Sequence, residues 1–424
     1  MGRGYFVEDA VESYLSQLCE LKSTTVTGLL IGQSSAQRDY IVMASRTPPK
    51  EETHGNTFDK DWITEHARQV SRMLPGGLSV LGVFLITEAD AKDTQTTLRQ
   101  LVFSVENLIC SERLWNPEDD DVTDCVTLHI NSKTRKTVCR TFDVKDPKSM
   151  AKPADWKYQS GLCSSWVSVS CCSNVNIYFP LPTGQNTPEK MENCIKEELQ
   201  IWAKQIETGV TLIDGKMFSD DAELTTGQKR NAKQAYTVQL LISPSEHRVN
   251  DVVQKCGGSV SIRGAIHSRA YVHSNKPKAK LAEKLLKRDI ISTLATRVHM
   301  VLEEFVTAGG QNINVGGDLL VPRRIFCPVK GRSPVCVCDY QFSDEGPSEA
   351  AVRLKEMLDL DAAEEDIDTS QENVTITTSD IKAEPQPEQI EEASPQRNNY
   401  IGVVMASAVA LLATAASLLY LNDV

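Results

Sequence analysis

The sequence predicts a body of α/β (α+β) class, an acidic tether and a single C-terminal transmembrane helix. Three observations carry this. Residues 78–87 form a near-continuous apolar run, as expected of a central strand covered on both faces. That run lies between two amphipathic stretches of helical period, 59–74 and 94–109. Finally, residues 400–421 read YIGVVMASAVALLATAASLLYL, without a charged side chain. As a helix this stretch is about 33 Å long, against a bilayer core of about 30 Å.

The elements follow in order. Val7, Ala10, Val11, Tyr14, Leu15 and Leu18 share a helical spacing, so residues 8–18 are expected to be a first helix. Residues 25–32 read as a buried strand and 39–45 as its hairpin partner, ended by Thr47-Pro48-Pro49-Lys50. In 59–74, Trp62, Ile63, His66, Ala67, Val70, Met73 and Leu74 make one face, and Pro75-Gly76-Gly77 stops the helix. Strands are expected at 126–130 and 137–144. The stretch 146–161, DPKSMAKPADWKYQSG, reads as a loop because of its prolines and exposed lysines.

Further on, 166–170 and 175–180 read as two strands, 183–188 as a linker and 189–208 as a helix with Met191, Ile195, Leu199, Trp202 and Ile206 inward. Residues 215–234 are polar. Strand candidates occur at 237–242, 258–272 and 324–329, with 335–342 expected to close the sheet. The longest helix is expected at 278–306. After 344 the apolar pattern decays, apart from a short helix near 349–358. Residues 359–399 are acidic, proline-bearing and poor in apolar side chains, the composition of a disordered tether about 35 Å in reach. The expected division is therefore 1–145, 146–343, a linker at 344–399 and the anchor at 400–421.

Charge follows the same division. The net charge is −12, yet residues 344–396 hold sixteen acidic side chains against Arg353, Lys355 and Lys382. The remainder is close to neutral, which excludes a nucleic-acid binder. A terminal anchor implies insertion after synthesis and a cytosolic body, with Arg397 and Asp423 on its two flanks. Lipid would be met by Tyr400, Ile401, Val403, Val404, Leu411, Leu412, Leu418, Leu419 and Leu421. Ala406, Ala410 and Ala413 offer either a helix-packing stripe or plain lipid filler. So mild an anchor suits the endoplasmic reticulum.

The twelve cysteines are expected to be reduced in that compartment. They show no Cys-x-x-Cys spacing, and Cys336 and Cys338 fall on one face of a strand. For the same reason Asn373-Val-Thr375 is expected to be an unused glycosylation acceptor. No catalytic, metal or cofactor group is assigned. The histidines at 54, 66, 129, 247, 267, 273 and 299 form neither His-x-His nor His-Glu-x-x-His. His267 and His273 are spaced to share one strand face. Gly76-Gly77 and Gly257-Gly258 lack the lysine of a phosphate loop, and no Gly-x-Ser-x-Gly occurs. The basic run Lys276, Lys278, Lys280, Lys284, Lys287 and Arg288 suits either anionic headgroups or a solvated helix face.

Several blocks together are distinctive: Gly28-Leu-Leu-Ile-Gly-Gln33, Arg46-Thr-Pro-Pro-Lys-Glu-Glu52, His66-Ala-Arg-Gln-Val-Ser-Arg-Met-Leu-Pro-Gly-Gly-Leu78, Ser268-Arg-Ala-Tyr-Val-His-Ser274, Cys338-Asp-Tyr340 and, above all, Pro153-Ala154-Asp155-Trp156-Lys157-Tyr158 within Lys152 to Gly161. Over nearly its whole length the chain resembles the odorant response abnormal protein 4 family. The resemblance implies a non-enzymatic adaptor that assists the folding, exit or localisation of some G-protein-coupled receptors, odorant receptors among them. It also implies a second partner, the protease of the ubiquitin-fold modifier, held at the endoplasmic reticulum. The motif Pro153 to Tyr158 is the expected contact. More distantly, the order of elements through residue 87 is similar to an MPN domain, the fold of JAMM metalloproteases. There a His-x-His follows the glycine that is Gly82 here; this chain has Val83-Phe84-Leu85-Ile86, which cannot hold zinc. The competing expectation is a hydrolase of metalloprotease or thiol type.

Overall fold

The computed structural model describes residues 3–372 apart from 22–24, 51–58, 183–187, 226–233, 244–255, 274, 308–319 and 330–332. The expected anchor, the tether beyond 372 and the Asn373 acceptor lie outside the described residues. Among the described residues, no helix is long and apolar enough to cross a membrane.

The first part of the chain runs β1 (Gly4–Glu8), α1 (Asp9–Leu18), β2 (Thr25–Gln33), β3 (Arg38–Arg46), α2 (Lys60–Arg72), β4 (Ser79–Thr87), α3 (Gln95–Ser111), β5 (Asp124–Asn131), β6 (Thr137–Asp143), β7 (Lys152–Pro153) and β8 (Asp155–Gln159). The eight strands form one mixed sheet in the order β7-β6-β5-β4-β2-β3-β1-β8. In β4, Val83 and Leu85 join one core cluster while Phe84 and Ile86 join the other, so both faces are covered, as its unbroken apolar run requires. A Cβ on Gly82 would stand 1.8 Å from the Val126 carbonyl oxygen. Only glycine lets β4 and β5 approach at that point.

The end strands of this sheet, β7 and β8, are separated by Ala154 alone. The Ala154 N–H donates to Cys139 O at 3.2 Å, and the Asp155 N–H donates to Arg3 O at 3.0 Å. One residue spans only about 3.8 Å. The β6 and β1 edges must therefore come together, and the sheet rolls up. One face then encloses Tyr5, Val7, Leu30, Ile41, Phe84 and Leu128 with α1 packed against them. Its other face is covered by α2 and α3.

The second part comprises β9 (Val167–Pro182), α4 (Pro188–Thr208), β10 (Val210–Ile213), β11 (Ala235–Leu241), β12 (Cys256–Val272) and α5 (Ala279–Thr307). Its sheet has the order β10-β11-β9-β12. Helices α4 and α5 cover one face around Val169, Phe179, Trp202, Ile206, Ile290 and Leu294. On the other face Cys172, Asn174, Asn176 and Tyr178 meet solvent. The ribbon β13 (Arg323–Pro328) and β14 (Cys336–Gln341) and helix α6 (Pro347–Leu358) return to the first core, with Phe326, Val337, Leu354 and Leu358 buried there. That core thus extends past residue 145.

Several expectations are corrected. The loop expected at 146–161 contains β7 and β8; its partners lie in β6 and in β1, about 150 residues away, and no local pattern announces them. The strands expected at 166–170 and 175–180 are one, because Cys172 and Asn174 stay in register with His267 and Ala265 of β12. Residues 336–341 do not close a large sheet but pair with β13 alone. The short helix expected near 349–358 is α6, which packs Ala350, Leu354 and Leu358 into the core, but the tether expected from 359 is folded as far as Glu372, with Ile367 and Glu372 buried.

Candidate functional site

The motif Pro153, Ala154, Asp155, Trp156, Lys157 and Tyr158 is the strand that closes the rolled sheet. It pairs in parallel with β1, Tyr5 beside Trp156 and Val7 beside Tyr158. The Trp156 ring is half-buried, its centroid 6.3 Å from that of Tyr5, and Tyr158 sets an edge against it at 6.2 Å. Asp155, Lys157, Tyr158 and Gln159 are exposed. The preceding Arg3 is fixed by Asp39, with Nε to Oδ2 at 2.6 Å, and reaches Asp124 at 3.6 Å. Beyond β8 no described strand follows, so its outer edge presents main-chain groups together with an aromatic ring and a lysine.

The residues after Gly82 are apolar and closed: Val83, Phe84, Leu85 and Ile86 are all at most 3% exposed. Among the described residues, no three His, Cys, Asp or Glu side chains converge as a metal would need. Among the described residues, His66, His267 and His273 each pack within the body. His66 is buried and donates from Nε2 to Met357 O at 2.7 Å, where Ser45 Oγ also donates. The two satisfy a carbonyl in the last turn of α6. Burial pushes the His66 pKa down to about 4. His267 and His273 do not form a pair. His267 stands edge-on to Phe326, whereas His273 stacks on Tyr40 at 3.6 Å and meets the edge of Trp166. Burial pushes His273 down to about 4.

Four thiols are shifted away from nucleophilic work. Burial pushes Cys110 and Cys139 up to about 12, and Cys327 and Cys338 up to about 11. Nucleophilic cysteines are shifted the other way.

The densest polar constellation lies where the two parts of the chain meet. Asp289, on α5, is buried and receives four hydrogen bonds: Gly76 N–H (2.8 Å), Arg269 N–H (2.9 Å), and both terminal nitrogens of Arg324 (2.6 and 2.9 Å). Glu372 is buried nearby. It accepts from Arg297 at 2.5 and 2.7 Å, from His267 N–H at 2.7 Å and from Arg324 N–H at 2.8 Å. Gln33 adds its amide, donating to Tyr271 O and Gly77 O and accepting from His273 N–H. Two carboxylates thus occupy the edge of β12 where a neighbouring strand would lie. Buried charges need this degree of pairing. No spacing rule finds Asp289, Arg324 and Glu372, because they are contributed by distant segments.

The basic run on α5 also has partners. Lys284 contacts Glu118, Asp120 and Asp121 at 2.7–3.0 Å, and Arg288 meets Asp121 at 2.8 Å. Lys278 and Lys280 meet Asp221 and Asp220. Lys287 bonds to Glu283 and to the carbonyls of Glu207 and Gly209. Most of this face is therefore engaged within the chain rather than free for headgroups.

Comparison with known proteins gives these arrangements a family. The family described as odorant response abnormal 4-like matches residues 28–369. The Protein odr-4 homolog of Gallus gallus is 45% identical, and that of Homo sapiens 42% identical, each over the full length of both chains. Among solved structures, the crystal structure of UfSP from C. elegans covers 85% of this chain and 57% of its own at 11% identity, with a TM-score of 0.44. The chain belongs to the odorant response abnormal 4-like family.

Proposed function

We propose that the chain is a tail-anchored, non-enzymatic adaptor of the endoplasmic-reticulum membrane. It assists the folding, trafficking or localisation of a subset of G-protein-coupled receptors, odorant receptors included, and tethers the protease of the ubiquitin-fold modifier. The observation that carries this reading is full-length similarity to the odr-4 homologs, whose family description speaks of odorant response. The uncharged stretch 400–421 supplies the anchor. The hydrolase alternative is opposed by the apolar Val83 to Ile86 and by thiols held protonated through burial.

In this reading the front sheet is a metal-free MPN-like platform, and β8 is its contact strand. An edge strand offers main-chain hydrogen bonds for affinity, and Lys157 and Tyr158 offer side chains for selectivity. The test is affinity isolation of the chain with and without residues 400–424, and of the variant Lys157→Glu/Tyr158→Ser. The protease should stay with the truncated chain and be lost from the double variant. Receptors should be lost on truncation. Retention of both partners by the double variant would remove β8 from the contact, and recovery of neither by the full chain would end the adaptor reading.

A further inference from the structure

The last described stretch, residues 359–372, crosses the body as a strap. Leaving α6, it runs along the surface with Ala363, Glu364, Glu365 and Asp366 exposed. A cavity of about 220 Å³ lies beneath it, between Cys327, Pro328 and Val329 on the body and Leu360, Asp361 and Asp366 on the strap. The strap touches the body at several points, Ile367, Asp368 and Glu372 among them. Ile367 is buried in the first core. Asp368 makes a two-bond antiparallel bridge to Phe326, its N–H donating to Phe326 O at 2.8 Å and its carbonyl accepting from Phe326 N–H at 3.1 Å. Glu372 then enters a slot that supplies its donors: the Arg297 guanidinium and the main-chain N–H groups of His267 and Arg324.

This slot has the attributes of a built ligand site. Its fixed parts, α5, β12 and β13, belong to the body and already hold one another through Asp289. Arg297 is 3% exposed, and its charge is matched by the strap carboxylate alone among the ion pairs of the described residues. Between the Ile367 and Glu372 contacts the chain meets β13 through the Asp368–Phe326 bridge, main chain to main chain as sheet edges take peptides, and then bends at Gln371 and Glu372.

We infer that the α5–β12–β13 slot is a carboxylate-binding peptide site, and that residues 364–372 are its ligand in cis. The ligand class is an acidic peptide with an apolar residue five positions before the buried Glu. Docking of the strap fixes the point at which the acidic tether leaves the body. The inference stands independently of the adaptor reading, because it concerns the chain's own segment.

The test uses the full chain. Amide hydrogen exchange over 364–372 is compared in wild type, Glu372→Gln and Arg297→Met. Exchange should rise at least tenfold in both variants while the thermal unfolding of the body remains cooperative. A fluorescent peptide of residues 364–374 is then added in trans. It should bind Glu372→Gln at least tenfold more tightly than wild type and lose that binding in the Arg297→Met/Glu372→Gln double variant. Strap amides that exchange at the wild-type rate in Glu372→Gln, or a peptide that binds both chains equally, would overturn the inference. Should Glu372→Gln not fold, Asp368→Pro removes the bridge donor and leaves the buried charges in place. Its strap must then show the same gain in exchange, and an unchanged rate would count against the site.

Discussion

Helix α5 carries charge in two ways along one length. At its N-terminal end, Lys280 and the preceding Lys278 are more than half exposed and meet Asp220 and Asp221. Further along, Asp289 and Arg297 are sealed from water and bound to Arg324 and Glu372. Exposed pairs contribute about 0–1 kcal/mol each and are screened by salt. Buried pairs gain little over apolar substitutes but are costly to halve, because the survivor is left charged in a poor solvent. The first set covers the surface; the second determines how the two parts of the chain fit.

Asp289→Asn should have the largest effect. It leaves Arg324 buried without its counter-charge, at a cost of about 3–5 kcal/mol, read as a lower urea midpoint. Asp289→Leu combined with Arg324→Met should be less damaging than either single change. If the pair proves additive, the contrast between the two ends of α5 fails.

His66 sharpens the comparison as a buried group that stays neutral. Its Nε2–H is used at Met357 O, and its Nδ1 has no partner. The folded pKa of about 4 lies below the unfolded 6.5. Its contribution is therefore complete above pH 6.5 and disappears as pH falls toward 4, about 3 kcal/mol in all. His66→Gln keeps a donor for Met357, so its chemical-denaturation midpoint should lose that part of the acid dependence.

The surface end should respond least. Asp121→Asn removes a partner shared by Lys284 and Arg288 and should cost about 1 kcal/mol or less at low salt. The loss should shrink further in 0.5 M salt, where the Debye length is only a few ångströms. Lys280→Ala should leave the thermal midpoint unchanged. A midpoint that moves with Lys280 would mean that the surface network couples to the fold.

Legibility in the sequence followed the locality of each interaction. Helix α2 was readable from Trp62 through Leu74 because its apolar period is local and Pro75-Gly76-Gly77 ends it. Strand β4 was readable because burial on both faces leaves an unbroken apolar run. By contrast, Asp155–Gln159 carries a charge at two of its five positions and resembles a loop until β1 is placed beside it. The motif was visible, but its role as the closing strand was not. His267 and His273 share spacing yet meet different neighbours, because one lies at Phe326 and the other has passed the end of β12.

By itself the sequence determined the mixed α/β character, the unbroken apolar run of β4, the acidity confined to the stretch from residue 344 and the uncharged stretch 400–421. These depend on composition and on periods of two to four residues. Only the tertiary structure decided that the eight-stranded sheet closes through Ala154, that the lysines of α5 already have acidic partners and that Glu372 is a buried ligand of the body. Each of those rests on residues far apart in the chain: Cys139 and Ala154 are 15 positions apart, Glu372 and His267 105, and Lys284 and Asp120 164. The physical reason is that a charged side chain reads the same whether it will meet water or a buried counter-ion; the partner that decides between them is chosen by the fold.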